Sequence, residues 1–74
     1  MSKGVEHMVE ERLRLKKLIE HWAEHNDEHT TRLKEAAYNA SDAGLPGVAR
    51  ELKEAIEADM KLSEHLRSAL EKMG

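Results

Sequence analysis

Apart from Gly4 and the final Gly74, glycine and proline interrupt this chain in a single stretch, and that stretch divides it into two helices. SDAGLPG spans residues 41–47, where Gly44 can end one helix and Pro46 suits the first turn of the next. The flanking segments are rich in strong helix formers such as Ala, Leu, Glu and Lys. The sequence therefore predicts one all-α domain, residues 1–74, with helix one over about 4–43, a turn at 44–46 and helix two over about 46–73.

Apolar residues recur along one side of each predicted helix when about 100° is allowed per residue. The helix-one stripe holds Leu15, Leu18, Ile19, Trp22, Leu33, Ala36, Ala37 and Ala40. The helix-two stripe holds Leu45, Val48, Leu52, Ala55, Ile56, Leu66, Leu70 and Met73. A short turn makes the helices antiparallel neighbours, so the two stripes should meet, with Trp22 as an anchor of the core.

Each stripe is wide enough for more than one neighbour, and a chain of 74 residues buries little core by itself. We therefore expect the antiparallel helical hairpin to homodimerise into a four-helix bundle. Pairing Ala37 with Leu52 ends helix two near Leu15, which leaves residues 5–14 as an overhang. This overhang would pack on the second subunit or a protein partner, as a continuation of helix one or as a short separate helix.

Charge and composition disfavour several classes of function. The 12 basic and 15 acidic residues are interspersed and give a net charge of −3, so nucleic acid is not an expected partner. The absence of cysteine excludes disulfides and thiolate metal sites. No run is apolar enough for a membrane span or a signal peptide, so a cytoplasmic location is expected. A small bundle without a nucleophile motif or phosphate loop is not expected to be an enzyme.

The stripes are broken by polar residues, and the two breaks align in the hairpin. Between Trp22 and Leu33 the stripe of helix one passes through His25, Asn26, His29 and Thr30, while helix two offers Asp59, Met60 and Ser63. His29 and Asp59 each lie within about 20° of a stripe centre, so we expect both to be turned inward. A buried carboxylate needs a partner, which His29, Asn26 or Thr30 could supply.

The segment HWAEHNDEH, residues 21–29, spaces three histidines four residues apart. Residues four apart on a helix can chelate one ion, and bundles build metal sites from imidazole and carboxylate on facing helices. The candidate metal ligands are His21, His25, His29 and Asp59, a set that suits zinc, nickel, copper or iron. The alternative is a hydrogen-bonded layer of His, Asp, Asn and Ser that only fixes register and oligomeric state.

The pattern also resembles a known group of small domains. HWAEHNDEH, followed by LKEAA and AGLPGVARELKEA, is similar to a helical domain of anaerobic bacteria and archaea with the pattern His-Trp-x-x-His-Asn-x-x-His. The resemblance covers residues 18–70 and is carried by His21, Trp22, His25, Asn26 and His29. Such a segment is sometimes joined to nickel-binding accessory proteins linked to carbon monoxide dehydrogenase maturation. The resemblance implies nickel or another transition metal, although this chain lacks the β-rich metal-binding domain of those proteins.

Overall fold

The protein is a pair of long helices joined by a tight turn. A computed structural model describes the backbone of residues 3–74 and the side chains of residues 8–74. Helix α1 runs over Lys3–Asp42 and helix α2 over Pro46–Lys72, with no strand in this range. The predicted all-α, two-helix fold is thus confirmed. In the described part of the chain, neither helix has an apolar stretch that could cross a membrane.

The turn follows from the glycine and the proline that the sequence places there. Gly44 adopts φ +74°, a left-handed conformation that costs little without a Cβ. The Leu45 amide donates to the Ala40 carbonyl at 2.9 Å and the Gly44 amide to the Ser41 carbonyl at 3.1 Å. These two bonds form a Schellman motif, which satisfies the last carbonyls of α1. Pro46 then begins α2, where a missing amide hydrogen costs nothing.

A narrow line of mostly small residues forms the contact between the helices. The buried residues are Ile19, Ala23, Thr30, Ala37, Ala40, Ala49 and Ser63. Small side chains let two helix backbones approach closely, and a seam built from them buries little large apolar surface. The prediction that Trp22 anchors this core is wrong, since its side chain is 48% exposed. Trp22 lies about 60° around α1 from Ile19, beside the seam, and two helices alone bury only the line between them.

The hairpin has two unlike sides, which we call the neutral face and the charged face. On the neutral face α1 presents Leu15, Leu18, Trp22, His25, His29 and Ala36, and α2 presents Val48, Ala55, Leu62, Leu66 and Ala69. Several of its large apolar side chains are about half exposed, among them Leu15, Trp22, Val48 and Leu62. The charged face carries Asp27, Lys34, Glu64 and Arg67 around a shallow polar groove. The molecule is therefore amphipathic as a whole.

The N-terminal part of α1 extends beyond the end of α2. It continues the same helix, which resolves the choice between one helix and two. The pairing of His29 with Asp59 sets a register in which the last turn of α2 lies level with Leu15, as predicted, and the long Arg12 side chain donates to the Met73 carbonyl there. The unaccompanied part therefore has about the expected length, and Met8 and Val9 on it are exposed. Val5 lies outside the described side chains, and a partner at this overhang stays a prediction.

Candidate functional site

Three imidazoles from successive turns of α1 line one open groove on the neutral face. The groove has a volume of about 680 Å³ and is lined by His21, Trp22, His25, Asn26, His29, Leu62 and Leu66. Each step of four residues turns the helix about 40° past a full circle. The histidine row therefore crosses the face slowly, from His21 at the outer edge to His29 beside the seam. Trp22 and the two leucines give this polar row apolar walls.

His21 and His25 form a close imidazole pair within the row. Their ring centroids are 5.2 Å apart and their planes are tilted by 45°. With metal–nitrogen bonds of about 2.0–2.1 Å, two imidazoles that share a tetrahedral ion have ring centres about 5 Å apart. The spacing of this pair is therefore compatible with chelation of one ion.

His29 is held in place by Asp59 across the hairpin. The distance between His29 Nδ1 and Asp59 Oδ2 is 2.8 Å, and the side chains are 60% and 19% exposed, respectively. The prediction that these two residues face each other is confirmed, but the prediction that His29 is turned away from solvent is wrong. His29 lies about 80° around α1 from the buried Ile19, at the border of the neutral face. The bond to Asp59 occupies Nδ1 and leaves Nε2 on the opposite side of the ring.

Next to this pair, a hydrogen-bonded network crosses the seam. The Asn26 amide nitrogen donates to the Asp59 carbonyl at 2.7 Å and to Ser63 Oγ at 2.8 Å. Ser63 Oγ donates in turn to Asp27 Oδ1 at 3.0 Å, and Arg67 pairs with the other oxygen of Asp27. Both amide hydrogens of Asn26 are used, and the serine both accepts and donates. Every buried side-chain polar atom in the described part of the chain has a partner.

Sequence reasoning missed part of this network and misjudged another part. Asp27 and Arg67 were not singled out, because both lie on the charged face and not on the apolar stripes. The ion pair could have been predicted from their opposite charges, because the register of the hairpin places residue 27 near residues 63 and 67. Thr30 was a possible partner of Asp59, but its hydroxyl donates to the Asn26 carbonyl of its own helix at 2.9 Å.

Of the four candidate metal ligands, one chain brings two imidazoles close together but does not form a three-ligand metal site in its described part. Among the described residues, no three His, Asp or Glu side chains converge on a point where they could hold a metal ion. His21 and His25 are close to each other, and His29 with Asp59 continues the row along the groove. His65 is exposed on α2 and does not line the groove. His7 lies outside the described side chains.

Comparisons with known proteins identify relatives that carry no functional description. The family described as "Domain of unknown function (DUF8180)" matches residues 15–73. A protein of Archaeoglobus fulgidus, described as "Uncharacterized protein", is 36% identical over 61 residues, which cover 82% of this chain and 97% of that relative. No solved structure matches the chain. The matched range includes the whole histidine row, the network across the seam and the turn.

Proposed function

Since the chain belongs to the DUF8180 family, whose description states no activity, we propose a function from its own side chains: non-catalytic binding of a divalent transition metal, nickel or zinc, through the histidines of α1. The observation that carries the proposal is the row of His21, His25 and His29 in one groove. Imidazole nitrogen is a preferred ligand of both metals. The resemblance to segments joined to nickel-binding accessory proteins favours nickel, and storage or delivery of the ion fits a protein of this kind.

Within this proposal the four candidate residues have different roles. His21 and His25 are the chelating pair, since their ring spacing suits one shared ion. His29 presents Nε2 as a further ligand because Asp59 holds its Nδ1. A carboxylate on the distal nitrogen of a ligating histidine fixes the tautomer and the ring orientation, and makes the imidazole a stronger ligand. Asp59 thus orients a ligand and does not itself contact the ion.

A metal titration of the chelator-treated protein without an affinity tag tests the proposal. We expect nickel and zinc each to bind the wild-type protein, and the combined change His25→Ala with His29→Ala to abolish binding, because no imidazole pair four residues apart remains. His65→Ala is the matched control, since it removes an exposed histidine outside the groove. Unchanged affinity in the double variant, or an equal loss in His65→Ala, would show that the site assignment is wrong.

Two substitutions at position 59 separate an orienting role from a ligating one. Asp59→Ala removes the partner of His29, and loss of such a partner typically lowers metal affinity about 10–100-fold. Asp59→Asn keeps an oxygen that can accept the hydrogen bond from Nδ1, so we expect an affinity between those of the wild type and Asp59→Ala. If Asp59→Asn and Asp59→Ala lose affinity equally in the same titration, Asp59 is a ligand itself.

We further propose that two hairpins pack through their neutral faces into a four-helix bundle. The two-helix part is about 40 Å long for the 27 residues of α2, and the molecule is about 15 Å wide, so the face projects about 600 Å² before side-chain relief is counted. A stable interface buries about 800 Å² per partner, which is of this order. Asp59 on this face is bonded to His29, and the charged side chains of Arg14, Arg32 and Glu51 lie toward its outer edges. A second copy matches it in length, whereas a single peptide helix would cover half of it.

A dimeric structural or protein-interaction module is the second candidate function. The network of Asn26, Ser63 and Asp27 favours it, because such a layer fixes the register of the helices without any metal. In that case the neutral face sets the dimer and the overhang within residues 5–14 docks a protein partner. This candidate predicts that Asp59→Leu or His29→Leu changes the oligomeric state measured by sedimentation, while nickel and zinc change nothing.

A further inference from the structure

We infer that the groove binds a divalent metal together with a small anionic chelator, as one complex, and not as a bare ion. This inference rests on the proposed metal-binding function and names the class of ligand that the same site takes. His21 and His25 fill two neighbouring positions on the ion, and the chelator fills most of the others. An apolar part of the chelator lies against Trp22.

The groove around the imidazole pair has the size of a site for a small organic molecule. Its volume of about 680 Å³ lies within the range of about 300–1,000 Å³ that is typical of such sites. Its lining also matches them, because the apolar side chains of Trp22, Leu62 and Leu66 stand beside a few polar groups. A metal ion alone would leave most of this space and all of this apolar surface in contact with water.

Trp22 is the apolar wall nearest to the pair. It lies three residues before His25, and residues at this spacing are neighbours on a helix surface. Its side chain is 48% exposed, so an aromatic or aliphatic group can cover it. A chelator attached to an ion on His21 and His25 therefore has Trp22 within reach.

The charge of the groove indicates that the chelator is an anion. None of the seven residues that line the groove is acidic, and the nearby Asp59 carboxylate is bonded to His29. A divalent ion beside apolar walls is unfavourable unless its charge is balanced. A chelator with two negative charges makes the complex neutral. The structure thus favours a small dianion with amine or carboxylate donors and an apolar arm.

Binding of such a complex requires ligand exchange alone. Two water molecules leave adjacent positions on the metal, and one nitrogen from each of His21 and His25 replaces them, with no change in oxidation state. The ring spacing of 5.2 Å suits two adjacent positions on one ion. His21 lies at the outer edge of the neutral face, so these positions stay within reach of solvent where a second copy covers the rest of that face.

Two nickel complexes that differ only in an apolar arm test the inference. Nickel N-methyliminodiacetate and nickel N-benzyliminodiacetate are both neutral one-to-one complexes with the same donor atoms. In calorimetric titrations, the wild-type protein should bind the benzyl complex about tenfold more tightly, because Trp22 covers part of the benzyl ring. Nickel ethylenediaminetetraacetate, whose donor atoms fill the coordination shell, should not bind, since the imidazoles then find no open position.

A matched pair of aromatic substitutions locates the arm. Trp22→Ala should bind both complexes with the affinity that the wild type has for the methyl complex, because its histidines are intact. Tyr38→Ala is the control: it removes the other aromatic side chain, which is 73% exposed on α1 outside the groove. This variant should keep the tenfold difference. Circular dichroism checks that both variants keep the helical content of the wild type.

Equal affinity of the wild type for the two complexes would overturn the inference, and this comparison needs no variant. A difference that Trp22→Ala retains, or that Tyr38→Ala loses, would also overturn it. If the wild type binds free nickel and both complexes equally, the proposed function stands while the chelator inference falls. If neither free nickel nor either complex binds, the proposed function fails as well.

Discussion

Ser63 is the residue on which the contacts across the seam depend most directly. It is 4% exposed, accepts a hydrogen bond from Asn26 and donates one to Asp27. A larger residue at this position would separate the helices, and an apolar one would leave two polar partners without their bonds. The serine therefore meets a steric and a hydrogen-bonding requirement at once.

Ser63→Ala should lower the free energy of unfolding by about 1–3 kcal/mol, because Asn26 loses an acceptor and Asp27 loses a donor at the seam. Ser68→Ala is the control, since Ser68 lies on the same helix outside the network and reports the gain in helix propensity alone. Urea unfolding followed by circular dichroism measures both. An equal stability change in the two variants would mean that the network contributes nothing to the fold.

Part of this site could be predicted from residue spacing. Helical spacing placed His29 and Asp59 opposite each other, and the structure pairs them at 2.8 Å. The exposure of His29 could not be predicted, because it depends on how far the helices rotate about their axes when alanines form the seam. The Asp27–Arg67 ion pair was not predicted, because both residues lie on the charged face and the prediction was based on the positions of apolar residues.

The two helices and the turn follow almost entirely from local sequence. Helix formers without internal proline predict α1 and α2, and Gly44 with Pro46 predicts where one ends and the next begins. The large apolar residues of the stripes were expected to be buried in the seam, but the buried residues there include the small Ala23, Ala37 and Ala49 instead. A sequence pattern gives the width of an apolar stripe, and the closest approach of the backbones decides which part of it is buried.

Two glycines of the turn region should respond oppositely to the same substitution. Gly44→Ala should lower the free energy of unfolding by about 1–2 kcal/mol, because an L-residue is strained at φ +74° although a Cβ there meets no atom within 4 Å. Gly47→Ala should raise it by about 0.4–1 kcal/mol, since Gly47 is in the first turn of α2 and its Cβ position is equally open. Thermal unfolding by circular dichroism compares them, and a loss in both would contradict this account.

The molecule as a whole is a thin amphipathic layer whose apolar side is uncovered in one chain. Among residues 8–74, the seven buried residues include one large apolar side chain, Ile19, which is a small core for a chain of this length. Chains of this length need a further source of stability, and a second copy or a metal can each provide one. The neutral face therefore connects the stability of the fold to the proposed metal site.

If the neutral faces pair, thermal stability must depend on protein concentration. We expect the unfolding midpoint of the wild type to rise by a few degrees for each tenfold increase in concentration, because folding and association are then one equilibrium. Emission of the single Trp22 should shift to longer wavelength on dilution, as its exposed half returns to water. Leu62→Lys places a charge on the neutral face, so neither its unfolding midpoint nor its tryptophan emission should depend on protein concentration. A midpoint that is the same for the wild type at all concentrations would argue for a self-sufficient monomer.

The contact between Arg12 and Met73 has a practical consequence for building with this protein. Because α2 ends beside α1 there, the start of α1 and the end of α2 lie at the same end of the hairpin, with α1 extending further, and the turn lies at the opposite end. The hairpin could be inserted as a domain into a surface loop of a host protein, from which it would project. His29, at one end of the histidine groove, would then lie about 20 Å from the end of α2, half the length of that helix.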